Sequence, residues 1–169
     1  MTHPGRPAVR VGIGYDSHAF TPGGPLVLGG VVIPSDVRLR GHSDGDAVAH
    51  AITDAILGAA GQGDIGTLFP DTDPANAGRD SLEMLRSAAR RVGAAGWRVQ
   101  QVDVTVVAER PRIAPYRTAM SGAIAKALDI EPADVSVKGK TNEGMGWIGR
   151  GEGLAALAVA TLAPGDGRD

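Results

Sequence analysis

The sequence predicts an α+β fold in one domain, and three observations carry that prediction. Stretches with strand character are mixed along the chain with stretches of helical periodicity. A length of 169 residues suits one hydrophobic core. No internal repeat and no shift in composition marks a second domain. Aromatic residues make up only 4% of the chain, so packing rests on Ala, Val, Leu and Ile.

The elements follow in order. Val9 to Tyr15 reads as a strand, with β-branched residues spaced by glycines. Leu26–Leu28 and Val31–Ile33 flank Gly29–Gly30, the pattern of a tight hairpin that Pro34 closes. Ser35 to Gly45 is polar and reads as loop. A helix is expected from about Asp46 to Ala60, with Ala47, Val48, Ile52, Ala55 and Ile56 on its apolar face and Gly61 and Gly63 stopping it. Residues 63–78 form a long Gly-, Pro- and Asp-rich loop, and loops of that length are often functional.

A second helix starts at Asp80 or Ser81, repeats Leu82, Leu85, Ala89 and Val92, and ends at Gly96. Val99 to Val107 reads as a strand. Pro111 and Pro115 turn the chain into a third helix ending near Leu128, and Val135 to Val137 is a short strand. Residues 141–153 are a second Gly-rich loop. The last segment, LAALAVATLA, is ambiguous: its alanines favour helix, and its position favours strand. Residues 1–8 and 164–169 read as frayed ends.

Bulk properties exclude some functions. A formal net charge of -2 offers no field for nucleic acid or an anionic membrane. The absence of cysteine removes disulfides, thiolate metal sites and a cysteine nucleophile, and fits a cytoplasmic protein. The N-terminus has no apolar core of a signal peptide, and no apolar run reaches membrane-spanning length.

Asp16 and His18 stand two residues apart, so on an extended chain both side chains leave one face. Such a pair suits zinc, and it equally suits a strand end with two solvated polar groups. Asp46 and His50 lie four apart and share a helix face, whereas His42 precedes the helix. Ser43, Asp44 and Asp46 suit capping, and His50 suits either a metal or a hydrogen bond to Asp46. Asp16, His18 and His50 meeting in space would give three mixed N/O ligands with a fourth position open, the catalytic form of a zinc site. Two imidazoles favour zinc over magnesium. Lys138, Lys140 and Arg150 bracket Thr141, Asn142 and Glu143 in a loop suited to phosphate, and Glu143 among phosphates hints at a bridging Mg²⁺.

Three blocks, GYDSHAF, then GHSDGDAVAHAITDAILGAAGQGDIGTLFPDTDP, then KTNEGMGWIGRGEG, resemble the 2-C-methyl-D-erythritol 2,4-cyclodiphosphate synthase family of the non-mevalonate isoprenoid pathway. The resemblance covers roughly residues 9–163 and implies a single synthase domain over 1–169. It implies a mixed sheet packed against helices on one side, and a homotrimer with active sites between subunits. The segment 154–162 would then be a strand lining the trimer axis. The implied reaction releases CMP from 4-diphosphocytidyl-2-C-methyl-D-erythritol 2-phosphate and closes a cyclic diphosphate.

Residue by residue, the resemblance makes Asp16, His18 and His50 ligands of zinc or another divalent transition metal. It puts Asp16, Ser17 and His18 in contact with substrate. His42 and Ser43 match substrate contacts, with His42 at a transition-state-stabilising site. Asp64, Ile65 and Gly66, then Phe69, Pro70, Asp71, Thr72 and Asp73, match the methylerythritol-phosphate side. Ala108, Glu109, Arg110, Pro111, Arg112, Ile113 and Ala114 match a cytidine pocket supplied by a neighbouring subunit. Lys140, Thr141, Asn142 and Glu143 join that pocket. Thr141 matches the second transition-state site, and Glu143 matches a ligand of Mg²⁺ or Mn²⁺. Trp147 and Arg150 match positions near the trimer axis and substrate.

Departures from the family pattern are few: Gly139 replaces a frequent alanine, and Lys140 and Arg112 replace a threonine and a lysine found in some members. Two other readings use the same three ligands: a zinc phosphohydrolase attacking with metal-bound water, and a non-catalytic trimeric zinc-binding protein.

Overall fold

The computed structural model describes residues 8–165. Residues 1–7 and 166–169, read as frayed, lie outside the described residues, whereas Pro164 is the last residue of a strand. The chain runs β1 (Arg10–Pro22), β2 (Leu26–Leu28), β3 (Val31–Ile33), β4 (Val37–Leu39), α1 (Ala47–Ala60), α2 (Ile65–Leu68), α3 (Ser81–Ala94), β5 (Trp97–Val107), α4 (Arg117–Leu128), β6 (Val135–Lys140), α5 (Gly146–Gly149) and β7 (Gly153–Pro164). Five strands form one mixed sheet in the order β4-β1-β7-β5-β6, in which β5 and β6 are parallel and the other pairs antiparallel. The β2–β3 hairpin stands apart as a second sheet. No helix of the described residues is long and apolar enough to cross a membrane.

Strands depart from the sequence expectation where pairing supplies what local composition does not. β1 continues seven residues past Tyr15, because β7 pairs with it as far as Ala19 and β4 pairs with Phe20 to Pro22. That carries Asp16 and His18 inside the strand rather than beyond its end. β4 itself lies in the stretch read as polar loop. The ambiguous last segment is β7, the middle strand, overriding its alanine-based helix propensity. Ala156, Ala158 and Ala160 are fully buried there, small enough to let a helix lie close to the sheet.

That helix is α1. Asp46 caps it by accepting from Ala49 N, and Gly61 ends it at φ 68°. Its apolar residues are buried almost all round, wider than the single face expected from sequence. The approach to β1 is backbone to backbone. A Cβ on Gly14 would stand 1.8 Å from the Ala51 carbonyl oxygen, and one on Gly12 would stand 2.0 Å from that of Ala55. Alternation along β1 therefore turns Gly12, Gly14, Asp16 and His18 toward α1, while Val11, Ile13 and Tyr15 face away and are exposed.

Candidate metal centre

Asp16 and His18 project from the helix-facing side of β1, and His50 projects from the first turn of α1 toward them. Asp16 Oδ2 lies 2.8 Å from His18 Nε2 and 3.1 Å from His50 Nδ1, and the two ring nitrogens are 3.4 Å apart. Ligands about 2.0–2.1 Å from a tetrahedral zinc stand roughly 3.3 Å from one another, so this triangle has the size of one tetrahedral face.

The outer ring nitrogens explain the inner ones. His18 Nδ1 is 2.5 Å from the Arg40 carbonyl oxygen, which can only accept, so Nδ1 carries a proton and Nε2 is the nitrogen turned toward Asp16. His50 Nε2 lies 2.8 Å from Ser81 Oγ and 3.0 Å from Ser43 Oγ. Burial opposes a charge on Asp16, but hydrogen bonds from His18 and His50 outweigh it and keep the carboxyl below the usual 3.8. Burial likewise opposes protonation of His18, but the bond to Asp16 prevails and lifts the ring above 6.5. Two imidazole nitrogens and a carboxylate oxygen turned to one point suit a divalent cation.

The expected hydrogen bond between the side chains of His50 and Asp46 is absent. Asp46 is fully buried and points the other way: its carboxylate accepts from Gly29 N at 2.8 Å, Gly30 N at 2.7 Å and Ala49 N at 3.0 Å. It locks the hairpin turn to the start of α1. Only the backbone of His50 meets Asp46, at the carbonyl oxygen.

The cluster opens into a cleft of about 580 Å³, lined also by His42, Ser43, Ile65, Gly66, Phe69 and Asp71. Asp54, one turn beyond His50, accepts Ile65 N at 2.8 Å and so fixes α2 at the rim. His42 Nε2 stands 4.0 Å from Asp71 Oδ2, both side chains being well exposed. Arg40, Asn76 and Met84 also line the cleft. Sequence reading missed them because Arg40 lies in an apparent loop and Asn76 and Met84 carry no motif of their own. Asp64 and Asp73 cap short helical turns, accepting Thr67 N at 2.8 Å and Ala75 N at 3.0 Å, and the Pro70 carbonyl accepts Asn76 Nδ2 at 2.9 Å. Thr72 is exposed beside them, and Ser17 lies on the opposite face of β1 from Asp16 and His18.

A second pocket of about 310 Å³ gathers Ala108, Glu109, Pro111, Arg112, Ile113, Ala114, Lys140 and Thr141, and shares no lining residue with the first. Arg110 is exposed within the same loop. Glu109 Oε1 accepts Asn142 N at 2.8 Å and Gly144 N at 3.3 Å, which pins the turn holding Glu143 at φ 53°. Gly139 accepts no side chain here, since a Cβ would lie 2.8 Å from that of Ile113. Lys138 does not join this loop: β6 extends to Lys140, and Lys138 Nζ pairs with Asp103 at 2.8 Å. Glu143 stands outside the Asp16–His18–His50 group. Trp147 and Arg150 line neither pocket, and Arg150 pairs with Glu152 at 2.7 Å.

The YgbB family profile matches residues 9–163. The chain belongs to the YgbB family. It is 60% identical over 154 residues to the 2-C-methyl-D-erythritol 2,4-cyclodiphosphate synthase of Gemmatimonas aurantiaca, covering 91% of this chain and 93% of that one. The synthase of the same name from Azoarcus is 55% identical, covering 93% and 97%. Among solved structures, the Plasmodium falciparum IspF in complex with CDP superposes with a TM-score of 0.82 at 37% identity, covering 94% of this chain and 98% of that one.

Proposed function

We propose that this YgbB-family chain is a cyclase whose metal centre is Asp16, His18 and His50. It converts 4-diphosphocytidyl-2-C-methyl-D-erythritol 2-phosphate to 2-C-methyl-D-erythritol 2,4-cyclodiphosphate and CMP, a phosphorus–oxygen lyase reaction. The observation that carries the metal reading is the meeting of three ligand atoms within 3.4 Å at the floor of a cleft. Two imidazoles and one carboxylate favour zinc, or another divalent transition metal, over magnesium.

In the reaction an oxygen of the 2-phosphate forms a bond to the β-phosphorus, and the bond from that phosphorus to the CMP oxygen breaks. The nucleophile is already anionic, so no general base is needed. The protein's task is to hold two repelling anions in line. Asp16, His18 and His50 would hold the zinc ion, which would supply positive charge against the phosphates. His42, exposed at the cleft, donates a hydrogen bond to the developing charge, and Thr141 does the same from the second pocket. Glu143 would offer a carboxylate to Mg²⁺ or Mn²⁺, which would offset phosphate charge.

The active form is a homotrimer in which the 108–114 pocket of one subunit completes the metal cleft of its neighbour, receiving cytidine. Two features support this arrangement. Val11 and Ile13 are 65% and 69% exposed on the sheet face turned away from α1, an apolar surface suited to burial between subunits. The two pockets also have separate linings within one chain, although a single CDP-linked substrate must reach both. A cytoplasmic location fits the absence of cysteine.

Incubation of the purified protein with the CDP-linked substrate and Mg²⁺ in ¹⁸O-water tests the reading. It predicts CMP and a cyclic diphosphate, both free of solvent oxygen. A linear product carrying ¹⁸O indicates a hydrolase, and no turnover indicates a binding protein; either result contradicts the cyclase.

A further inference from the structure

Ser81 and Asp44 have no part in the residue assignments made from the resemblance, yet they stand directly behind the metal cluster. Ser81 opens α3, is fully buried, and lies 2.8 Å from His50 Nε2. Behind it the Asp44 carboxylate takes three donors: Ser81 N at 3.1 Å on Oδ2, Asp46 N at 3.1 Å on Oδ1, and the Ser81 hydroxyl on Oδ1. Such a carboxylate only accepts, so the single Ser81 proton points to Asp44. The Ser81 oxygen is then left to accept from His50. Nε2 therefore carries a proton, and Nδ1 is the nitrogen turned toward Asp16, the one that can serve as a metal ligand.

Ser43 Oγ also lies 3.0 Å from Nε2 and 3.4 Å from Ser81 Oγ, and with the Ser81 proton on Asp44 the Ser43 hydroxyl can donate to the Ser81 oxygen. The segment around Asp44 is stitched to the start of α3 on both sides. Gly78 N donates to the His42 carbonyl at 2.7 Å, and Asp44 N donates to the Arg79 carbonyl at 3.3 Å.

We propose that Ser81 and Asp44 are positioning residues of the metal centre. The chain from His50 through Ser81 to Asp44 holds the ring as an Nδ1 ligand and ties that ligand to the loop presenting His42 and Ser43. His18 is held in the same way by the Arg40 backbone carbonyl, which no side-chain change can remove. The proposal rests on the metal-centre reading above.

The test is zinc affinity of wild type, Ser81→Ala, Ser81→Thr and Asp44→Asn, by competition with a chromophoric chelator. The visible absorption of the Co²⁺ forms and the melting temperature of the metal-free proteins are measured beside it. Loss of a partner behind a metal-bound histidine typically costs 10–100-fold in affinity, and that loss is expected for Ser81→Ala and Asp44→Asn, with an altered Co²⁺ spectrum. Ser81→Thr, which keeps the hydroxyl, restores both, whereas metal-free Asp44→Asn melts somewhat lower, because its amide turns a donor toward the N–H of Ser81 or of Asp46. Should Ser81→Ala fail to fold, the near-isosteric Asp44→Asn decides. Zinc affinity within about twofold of wild type and an unaltered Co²⁺ spectrum in Asp44→Asn overturn the proposal. A wild-type protein that binds no zinc overturns the metal-centre reading itself.

Discussion

His50 and Asp46 share one face of a helix start yet serve different neighbours. His50 turns to Asp16 and His18, and Asp46 turns to the β2–β3 hairpin. Burial lifts the Asp46 carboxyl to about 6 from 3.8, although the N–H groups of Ala49, Gly30 and Gly29 favour its charged form. The sign of the effect on stability follows. Between 3.8 and about 6 the folded chain keeps a proton that the unfolded chain has released, so this group's contribution weakens as pH rises through that window. Urea unfolding of wild type and Asp46→Asn from about pH 4 to 7 checks it: wild type should lose stability relative to the variant as pH rises. A difference independent of pH contradicts the account. Asp46→Asn should also be the less stable protein near pH 4, because its amide turns a donor toward backbone N–H groups.

At the scale of elements, the close seat of α1 on β1 is what brings His50 within reach of Asp16 and His18. Gly14→Ala sets a methyl group 1.8 Å from the Ala51 carbonyl oxygen, so helix and strand must separate. Overpacking of this kind costs about 1–3 kcal/mol, with zinc affinity falling alongside stability. Urea unfolding and zinc titration of this variant measure both, and an unaltered zinc affinity contradicts the link between packing and site. Much of this was legible in the sequence where the signal is local. Gly29–Gly30 marks the hairpin, Asp46 and Gly61 bracket α1, and the spacing of Asp16 and His18 puts both on one face. Signals that depend on distant pairing were not legible. The length of β1 depends on β7 and β4, the strand state of β7 was clear only through family resemblance, and Lys138 is claimed by Asp103 on the neighbouring strand. Ser81 and Asp44 are 37 residues apart, and no spacing rule joins them.

At the scale of the whole molecule, the separate linings of the two pockets make assembly part of the catalytic account. Ile13→Asp puts a charge on the exposed apolar sheet face without touching the metal cluster. It should weaken the trimer by roughly 2 kcal/mol or more, about thirtyfold, and lower activity with it. Zinc binding should be retained. Sedimentation at several protein concentrations reads the assembly directly, and a variant that sediments as wild type places the interface elsewhere. The claim on which everything else depends is the metal centre, and anomalous X-ray diffraction at the zinc edge from crystals of the zinc-loaded protein tests it most directly. The account predicts one strong peak per chain, bounded by Asp16 Oδ2, His18 Nε2 and His50 Nδ1. No peak between these atoms, or zinc bound through His50 Nε2, contradicts it.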